Sequence, residues 1–437
     1  MRRPHPYINV GDALSPVMVA LVSGRPVRRV GMARHGRDPA ASAGERPDRM
    51  AAIGTIGQNL RRGAVVAWGT GCSPHANPLE PGPKRPYAPP GDTRLVLAAT
   101  RGPYAARLLA GGAPPAIPHG DPALLLPLFH RPPVAARHAL GVVLHLSELA
   151  DRGFEAVAKP GLARYAPAPG EGVRLITMVA PPGIDAIADK IDEIRACRRI
   201  VSTSLHGIAI ALAYGIPCLY LGAGPGGAGL REAALDPGGA AWPQGVNARF
   251  PDLYAGLGAG RMAWWCQPKG ERTDWARLAA AVEREGDAGW AVDALASGRA
   301  GALARACPAG TAGLGRDIRW PPSGSAAATA TTTGAATAAA DGGAWHGGAT
   351  SAAGTVTPPR CADPAPARPG ASPARRGRDA AAPPGHHATR VPSSAARMPV
   401  DNAAAPDLRR IAALSALALM SSPDPAGSGA IRPGVKS

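Results

Sequence analysis

One histidine stands between a stretch typical of a buried strand and a stretch typical of a buried helix. The segment RRIVSTSLHGIAIALAYGIPCLYL covers residues 198–221 and is interrupted once, by Ser-Leu-His-Gly at 204–207. Thr203 or Ser204 could cap the helix. His206 would then lie in the first helical turn, where unpaired amides and the helix dipole favour an anion, and Gly207 would allow a ligand to approach closely. The pattern therefore predicts an ionisable imidazole beside a bound phosphate or carboxylate, although a lone histidine at such a junction also suits a purely structural role.

Strand-like and helix-like runs alternate along the chain to about residue 300, and this alternation would position the histidine. The predicted strands lie at 63–71, in the first part of 94–112, and at 138–149, 172–178, 198–203 and 216–222. Helices are predicted in the second part of 94–112, at 184–197 with isoleucines at helical spacing, and at 208–215. Strands that alternate with helices predict parallel sheets in an α/β fold.

A Pro-rich connection at 128–138 divides these runs into two groups. We expect two Rossmann-like domains, residues 1–135 and 136–307, with a ligand cleft at the carboxyl ends of their strands. The remainder, 308–437, is a low-complexity Ala/Gly/Pro/Thr segment with too little apolar surface to offset its ordering entropy. It is predicted to be a disordered tail.

Charge and cysteine content exclude several classes of protein. The 437-residue chain has a formal net charge of +17, but no Lys/Arg run of nucleic-acid-binding length is present, so a preference for small anions is the safer interpretation. Its six cysteines form no CxxC pair and lie at no metal-ligand spacing from histidine, so we expect reduced thiols and no metal site. The first residues lack the apolar core of a signal peptide, and Gly215 and Pro217 break the longest apolar stretch, so a cytoplasmic protein is predicted.

Seven short motifs occur in an order that resembles one known family. They are NVGDALSP at 9–16, AAIGTIGQNLRRGAVVAWGTG at 51–71, TRGPYAARLL at 100–109, HGDPALLLP at 119–127, LGVVLH at 140–145, SLHG with AYGIP at 204–207 and 213–217, and ARFPDLYAGLG at 248–258. Together they resemble the polysaccharide pyruvyl transferase family over roughly residues 7–265. The tail has no counterpart in this resemblance.

The resemblance implies a fold and a reaction. It implies two domains related to the GT-B glycosyltransferases and transfer of a pyruvyl group from phosphoenolpyruvate to a sugar, forming a cyclic ketal across two hydroxyls. The implied acceptor is a sugar or a lipid-linked oligosaccharide of an exopolysaccharide or cell-surface glycan. No cofactor and no nucleic acid are expected, and membrane association at the inner face would be peripheral at most.

The same resemblance assigns roles to two arginines and the histidine. His206 is the candidate general acid for C3 of phosphoenolpyruvate, and a bound dianion would raise its pKa. Arg101 takes the place of the family's anion-binding arginine, at a strand–helix turn with donors suited to a bidentate clamp. Arg249 falls where related chains carry lysine. Ser204 falls where many carry arginine, so that one clamp is either missing or supplied by Arg199.

Further candidates have two interpretations each. Asn9 and Asp12 could shape a substrate-binding loop at the first strand, with Asp12 accepting a proton from an acceptor hydroxyl, or they could form an N-cap or Asx-turn pair. Gly69 and Gly71 could expose amides to a phosphate, or they could allow tight packing. Asp121 could line the cleft or form a turn before Pro122.

His145, at the end of the strand that opens the second domain, could touch the acceptor. Two other functions stay open: a nucleotide-sugar glycosyltransferase of the same architecture, which would need a pair of acidic residues that the sequence does not clearly show, and a non-catalytic relative whose tail recruits partners.

Overall fold

The computed structural model describes residues 6–32, 49–167, 170–224, 226–243, 245–286 and 289–310. The predicted tail from residue 311 onward, including Cys361, lies outside the described residues, as do residues 33–48. The α/β class predicted from the alternating runs is confirmed: parallel sheets are flanked by helices.

The first half contains a small parallel sheet and two helices. The strands of this half are β1 (Ile8–Asn9), β2 (Arg49–Ala51), β3 (Gly63–Trp68) and β4 (Thr93–Ala99), of which the last three form the sheet. Its helices are α1 (Val10–Ser23) and α2 (Pro103–Ala110). All six residues of β3 are buried, as the continuous apolar run requires. Helix α2 begins with Pro103 at its first position and ends at Gly111, which has the left-handed conformation that favours glycine. A 3₁₀ helix covers Pro122–Leu128.

The second half contains the larger sheet. The strands of this half are β5 (Leu140–Leu144), β6 (Val173–Thr177), β7 (Val179–Ala180), β8 (Ile200–Ser202), β9 (Cys218–Gly222), β10 (Gly229–Ala234) and β11 (Arg261–Cys266). All except β7 belong to the larger sheet. Its helices are α3 (Ile184–Arg195), α4 (Leu205–Ala213), α5 (Arg249–Gly256), α6 (Trp275–Glu285), α7 (Gly289–Ala294) and α8 (Ala300–Arg305), with a π-helical turn at Leu295–Arg299 between the last two. Every strand and helix that the sequence predicted in this half is present.

Strand order identifies one edge of the larger sheet as the place for a ligand. The order is β10-β11-β9-β8-β5-β6, and only β10 runs antiparallel to its neighbour. In chain order the parallel strands therefore lie 2-1-3-4-5, a doubly wound arrangement whose switch point falls between β5 and β8. Ligands bind such sheets at the carboxyl ends of the strands beside the switch point. His145 follows β5 there, and Ser204 and His206 follow β8.

Elements from both ends of the described chain cross between the two predicted domains. Strand β1 pairs with β7 of the second half, while helix α8 contacts the 3₁₀ helix of the first half. The indole Nε1 of Trp68 in β3 donates to the carbonyl of Leu303 in α8 at 2.7 Å. One apolar core accordingly contains side chains from both halves, among them Leu125 and Ile208. In the described residues the first half contributes a three-stranded sheet, β2-β3-β4, so a pair of GT-B-like Rossmann domains divided at residue 135 stays a prediction.

Two further expectations concern cysteines and membranes. Five cysteines lie in the described residues, and all five are buried free thiols. None of the helices in the described part of the chain combines the length and the apolar character that crossing a bilayer requires.

Candidate functional site

Helix α4 begins at the switch point, but its first turn differs from the prediction in two details. Ser204 occupies the N-cap position, yet its side chain makes no capping hydrogen bond, and Thr203 Oγ1 instead accepts the amide of His145 at 2.8 Å. A Cβ at Gly207 would overlap Ser202 and Val143, so this glycine allows α4 to pack closely on β5 and β8. The structure therefore gives Gly207 a packing role, and its contact with a ligand stays a prediction.

The imidazole of His206 is held against the first helix of the chain. A Cβ on Gly11 would overlap its Nδ1 atom, so the absence of a side chain at that position makes room for the ring. The other ring nitrogen, Nε2, is buried without a hydrogen-bond partner and lies 3.9 Å from Oδ2 of Asp121. Burial and the nearby positive groups Arg249, Arg101 and His145 lower the pKa of His206 to about 3. In the free protein the imidazole is therefore neutral at pH 7.

Arg101 lies close to His206 but is not the free clamp that the sequence predicted. The side chain is 1% exposed. Its Nε and Nη2 contact Oδ2 of Asp252 at 3.1 and 3.0 Å, and its Nη1 donates to Thr55 Oγ1 at 2.7 Å. This arginine contributes positive charge to the site while its three nitrogens already have partners.

Asp252 is a site residue that the sequence analysis missed. It lies on α5, and its Oδ1 accepts the amide of Ala105 at 3.1 Å in the first turn of α2. The helix needs this partner because its own N-cap residue, Gly102, has no side chain. The only sequence signal was its place in the motif at 248–258, which does not say that its partner is Arg101, 151 residues away.

Arg249 is the arginine with donors to spare. Its Nε donates to Asn247 Oδ1 at 3.1 Å, and no carboxylate in the described residues lies within ion-pair distance of its guanidinium. Partial burial, the charge of Arg101 and the opposing charge of Asp12 together set its pKa to about 10, below the ordinary value for arginine. It is partly exposed and retains its positive charge at pH 7.

The remaining predicted residues divide into a rim and a set of packing positions. Asn9 caps α1, accepting the amide of Gly11 at 3.3 Å and donating to Asp12 Oδ2 at 2.9 Å, so the N-cap interpretation is confirmed. Asp12 is exposed and its charge reaches Arg249. His145 is half-buried, and burial followed by the charge of Arg249 lowers its pKa to about 4. Asn9, Asp12, His145 and Arg249 thus form a partly exposed rim above the buried His206.

Gly69 and Gly71 do not present amides to a ligand. Their N–H groups donate to the carbonyls of Ala99 and Gly54, at 2.9 and 2.8 Å. A Cβ at Gly69 would overlap Pro122, and one at Gly71 would overlap the guanidinium of Arg101. The packing interpretation is the one that the structure supports.

Arg199 lies away from His206, whereas Asp121 lies beside it. Arg199 precedes β8, at the opposite end of that strand from His206, and pairs with Glu283. It cannot replace a clamp at the site. Asp121 forms the predicted turn: its Oδ1 accepts the amide of Ala123 at 2.9 Å and caps the 3₁₀ helix, while its other oxygen faces His206.

A second polar cluster, also missed, lies at the same edge of the sheet. The carboxylate of Glu148 accepts from Arg164 and, at 2.5 Å, from the hydroxyl of Tyr165. Arg164 also donates to the carbonyl of Gly222, the last residue of β9, at 3.3 Å. We call these three side chains the Glu148 cluster. Among the described residues no group of three or more His, Cys, Asp or Glu side chains is arranged to hold a metal ion.

Fold and site together define an α/β protein in which a helix N-terminus with a buried histidine lies at the switch point of a doubly wound sheet, beside a partly exposed arginine. Residues 92–224 match the model of one family, polysaccharide pyruvyl transferase, which confirms the resemblance over that segment. His206, Arg101, Asp121 and His145 lie inside the match, whereas Asn9, Asp12 and Arg249 lie outside it. Comparisons with curated proteins and with solved structures found no match.

Proposed function

We propose that this protein transfers a pyruvyl group from phosphoenolpyruvate to two hydroxyls of a sugar in an exopolysaccharide or cell-surface glycan precursor. The observation that carries the proposal is the guanidinium of Arg249, which pairs with no carboxylate among the described residues and lies near His206 and the first turn of α4, next to a segment that matches the pyruvyl transferase model. The acceptor would be a sugar or a lipid-linked oligosaccharide, used in the cytoplasm or at the inner membrane face.

Phosphoenolpyruvate suits this site because it carries two anionic groups. Arg249 can hold a phosphate or a carboxylate with two parallel donors, and the amides of the first turn of α4, which the Ser204 side chain leaves uncapped, suit the other group. Arg101 strengthens the positive field from beneath while its donors stay on Asp252 and Thr55. The proposal requires neither a metal nor a cofactor.

The same residues can manage the protons of ketal formation. C3 of phosphoenolpyruvate takes a proton from the His206 imidazolium, and the C2 cation that forms bonds to the oxygen of the first sugar hydroxyl, which gives up its proton. The second hydroxyl then bonds to C2, also losing its proton, as the C2–O bond to phosphate breaks and inorganic phosphate leaves. The neutral His206 regains one proton, and the departing phosphate takes up the other and leaves as HPO₄²⁻, with the exposed carboxylate of Asp12 able to relay that proton.

The neutral state of His206 in the free protein fits this scheme only if the substrate itself brings about protonation. Arg249 and Arg101 oppose a charge on the imidazole. A bound phosphate dianion would reverse the sign of the local field and raise the pKa of His206. Binding of phosphoenolpyruvate would thus be accompanied by uptake of a proton from solution, and this proton would convert His206 into the imidazolium that acts as the acid.

Calorimetric titration of the full chain tests the donor. We expect phosphoenolpyruvate to bind the wild type, to bind Arg249→Gln at least about tenfold more weakly, and to bind Arg284→Gln normally. Arg284 is an exposed arginine on α6 that donates to the carbonyl of Ala280 in its own helix. Binding of UDP- or GDP-sugars in place of phosphoenolpyruvate would overturn the proposal and favour a glycosyltransferase. No detectable binding of any of these ligands would overturn the assignment of phosphoenolpyruvate as donor.

A further inference from the structure

Two buried polar atoms face each other across the site without partners. Asp121 is fully buried, and its Oδ2 makes no hydrogen bond, whereas its Oδ1 accepts the amide of Ala123. Nε2 of His206 is buried and unpaired as well, 3.9 Å from that Oδ2. Buried polar atoms in proteins nearly always have partners, so two orphans aimed at each other call for an explanation.

We propose that Asp121 is the positioning partner of His206: its unpaired oxygen takes the Nε2–H of the imidazole and thereby leaves Nδ1 to serve the substrate. A movement of about 1 Å would turn the present separation into a charge-assisted hydrogen bond. The inference rests on the proposed function only for the identity of the substrate. The pairing itself can be tested on the free protein.

Packing around the ring supports this orientation. Nδ1 lies against Gly11, next to Asp12 on the exposed rim. The His206 side chain is 11% exposed, and because Nε2 is out of reach of solvent, that exposure belongs to other atoms of the ring. A carboxylate that holds one imidazole nitrogen fixes the tautomer and the direction of the other nitrogen, as the aspartate of a catalytic triad does.

The charges around the pair explain why such a partner is needed. His206 faces Arg249 from α5, Arg101 from the β4–α2 turn and His145 from the end of β5, and each of these disfavours its protonation. Asp12 on α1 raises the pKa of Arg249 and so helps that guanidinium to keep its charge. Burial raises the pKa of Asp121 to about 6, with Arg101 opposing the shift, so its carboxylate is ionised at pH 7 and can stabilise an imidazolium. Because Oδ2 of Asp121 lies 3.9 Å from Nε2 of His206, we expect the protonation of one group to affect the other.

Asp121→Asn provides a clean test because it keeps the local fold. An asparagine oxygen can still accept the amide of Ala123, so the cap of the 3₁₀ helix is retained. The matched control is Asp274→Asn, since Asp274 caps α6 by accepting the amide of Arg277 at 2.9 Å, in an exposed position. His206→Gln identifies the His206 resonances. The experiment is nitrogen-15 NMR of the histidine rings in the full-length protein across a pH titration, without and then with phosphoenolpyruvate.

In the free wild type and in Asp274→Asn, we expect His206 to carry its proton on Nε2 above about pH 6 and to change its ring signals as Asp121 titrates. Asp121→Asn abolishes this pH dependence. With phosphoenolpyruvate bound, the pKa of His206 in Asp121→Asn lies about 1–3 units below that of the wild type, the usual effect of one carboxylate at this distance.

Ring signals of His206 that are the same in Asp121→Asn and in the wild type would overturn the pairing, whatever phosphoenolpyruvate does. If Asp121→Asn alters His206 but phosphoenolpyruvate leaves every histidine unchanged, the pairing is upheld and the proposed donor is wrong. If the Asp121→Asn and Asp274→Asn variants change the ring signals of His206 equally, Asp121 has only a structural capping role.

Discussion

The Glu148 cluster and the pair formed by His206 and Asp121 lie at the same edge of the same sheet, but their buried polar side chains differ in hydrogen bonding. In the cluster, a carboxylate meets an arginine and a tyrosine hydroxyl. In the pair, a carboxylate oxygen and an imidazole nitrogen stay unpartnered at 3.9 Å. Both regions bear the desolvation cost of buried polar groups, but the cluster offsets more of it with hydrogen bonds between its side chains, although Nε of Arg164 has no partner. The difference agrees with a structural role for the cluster and with the proposed role of the pair in binding a ligand.

Replacing His206 should separate activity from stability most widely. We expect His206→Gln to lower turnover by about 10²- to 10⁴-fold, the usual contribution of a general acid. Its unfolding free energy should change by about 1 kcal/mol or less, because no hydrogen bond of Nε2 is lost. The measurements are release of inorganic phosphate from phosphoenolpyruvate against a panel of sugars with two free hydroxyls, and unfolding in urea. Unchanged turnover, or a loss of stability in proportion to the loss of turnover, would remove the contrast.

The Glu148 cluster should respond in the opposite way. Glu148→Ala leaves Arg164 as an uncompensated buried charge, so we expect a loss of about 3–5 kcal/mol in unfolding free energy. Glu283→Ala is the matched control because this exposed glutamate pairs with Arg199 at the surface, and it should cost about 0.5 kcal/mol or less. Equal midpoints for the two variants in urea would show that the cluster does not stabilise the fold.

Substitutions of Arg249 sharpen the description of the site. Arg249→Gln should weaken phosphoenolpyruvate binding by about 1.5–3 kcal/mol, the range for hydrogen bonds to charged groups. Arg249→Lys should lie between this variant and the wild type, because it keeps the charge and loses the two parallel donors. Calorimetry at low and high salt distinguishes the two contributions, since screening weakens the charge and leaves geometry unchanged. Identical affinities for the two variants would contradict a bidentate role.

The pH dependence should be the smallest effect and the most specific. Because the folded pKa of His206 is about 3 and lies below the unfolded value, the contribution of this ring to stability falls as pH drops below about 6.5, while the raised pKa of Asp121 acts in the opposite direction below about pH 6. Donor binding reverses the sign, so affinity should rise as pH falls from 8 to 6, with an uptake of at most about one proton. Calorimetry in buffers of different ionisation enthalpy measures this uptake. His206→Gln should abolish it, and uptake that persists in this variant would assign the proton to another group.

Local pattern was enough to predict most elements near the site. The apolar run of β3, the isoleucine spacing of α3 and the strand–helix–strand pattern around His206 each depend on side chains a few residues apart. For the same reason the position of His206 in the first turn of α4 could be predicted, since the strand before it and the helix after it are both encoded locally. The antiparallel β10–β11 pair was not predicted, because β10 mixes polar and apolar residues and is largely exposed.

Partnerships across the chain could not be predicted in this way. Arg101 has the residue type and the position of an anion clamp. Its guanidinium, however, forms an ion pair with Asp252, which lies 151 residues away in the chain, on helix α5. Gly207 and Gly71 fit the sequence pattern of ligand-binding glycines, but the fold presses a strand against one and a guanidinium against the other. Which neighbour fills the space beside a residue depends on how distant elements pack.

The sequence by itself determined the α/β class, the strand–helix junction that carries His206 and the supply of arginines around it, because these follow from periodicity and residue type. Only the tertiary structure decided that Arg249 keeps free donors while Arg101 does not, and that Asp121 faces His206. Hydrogen bonds and ion pairs act over about 3–4 Å, and that distance is set by packing between segments far apart in the chain.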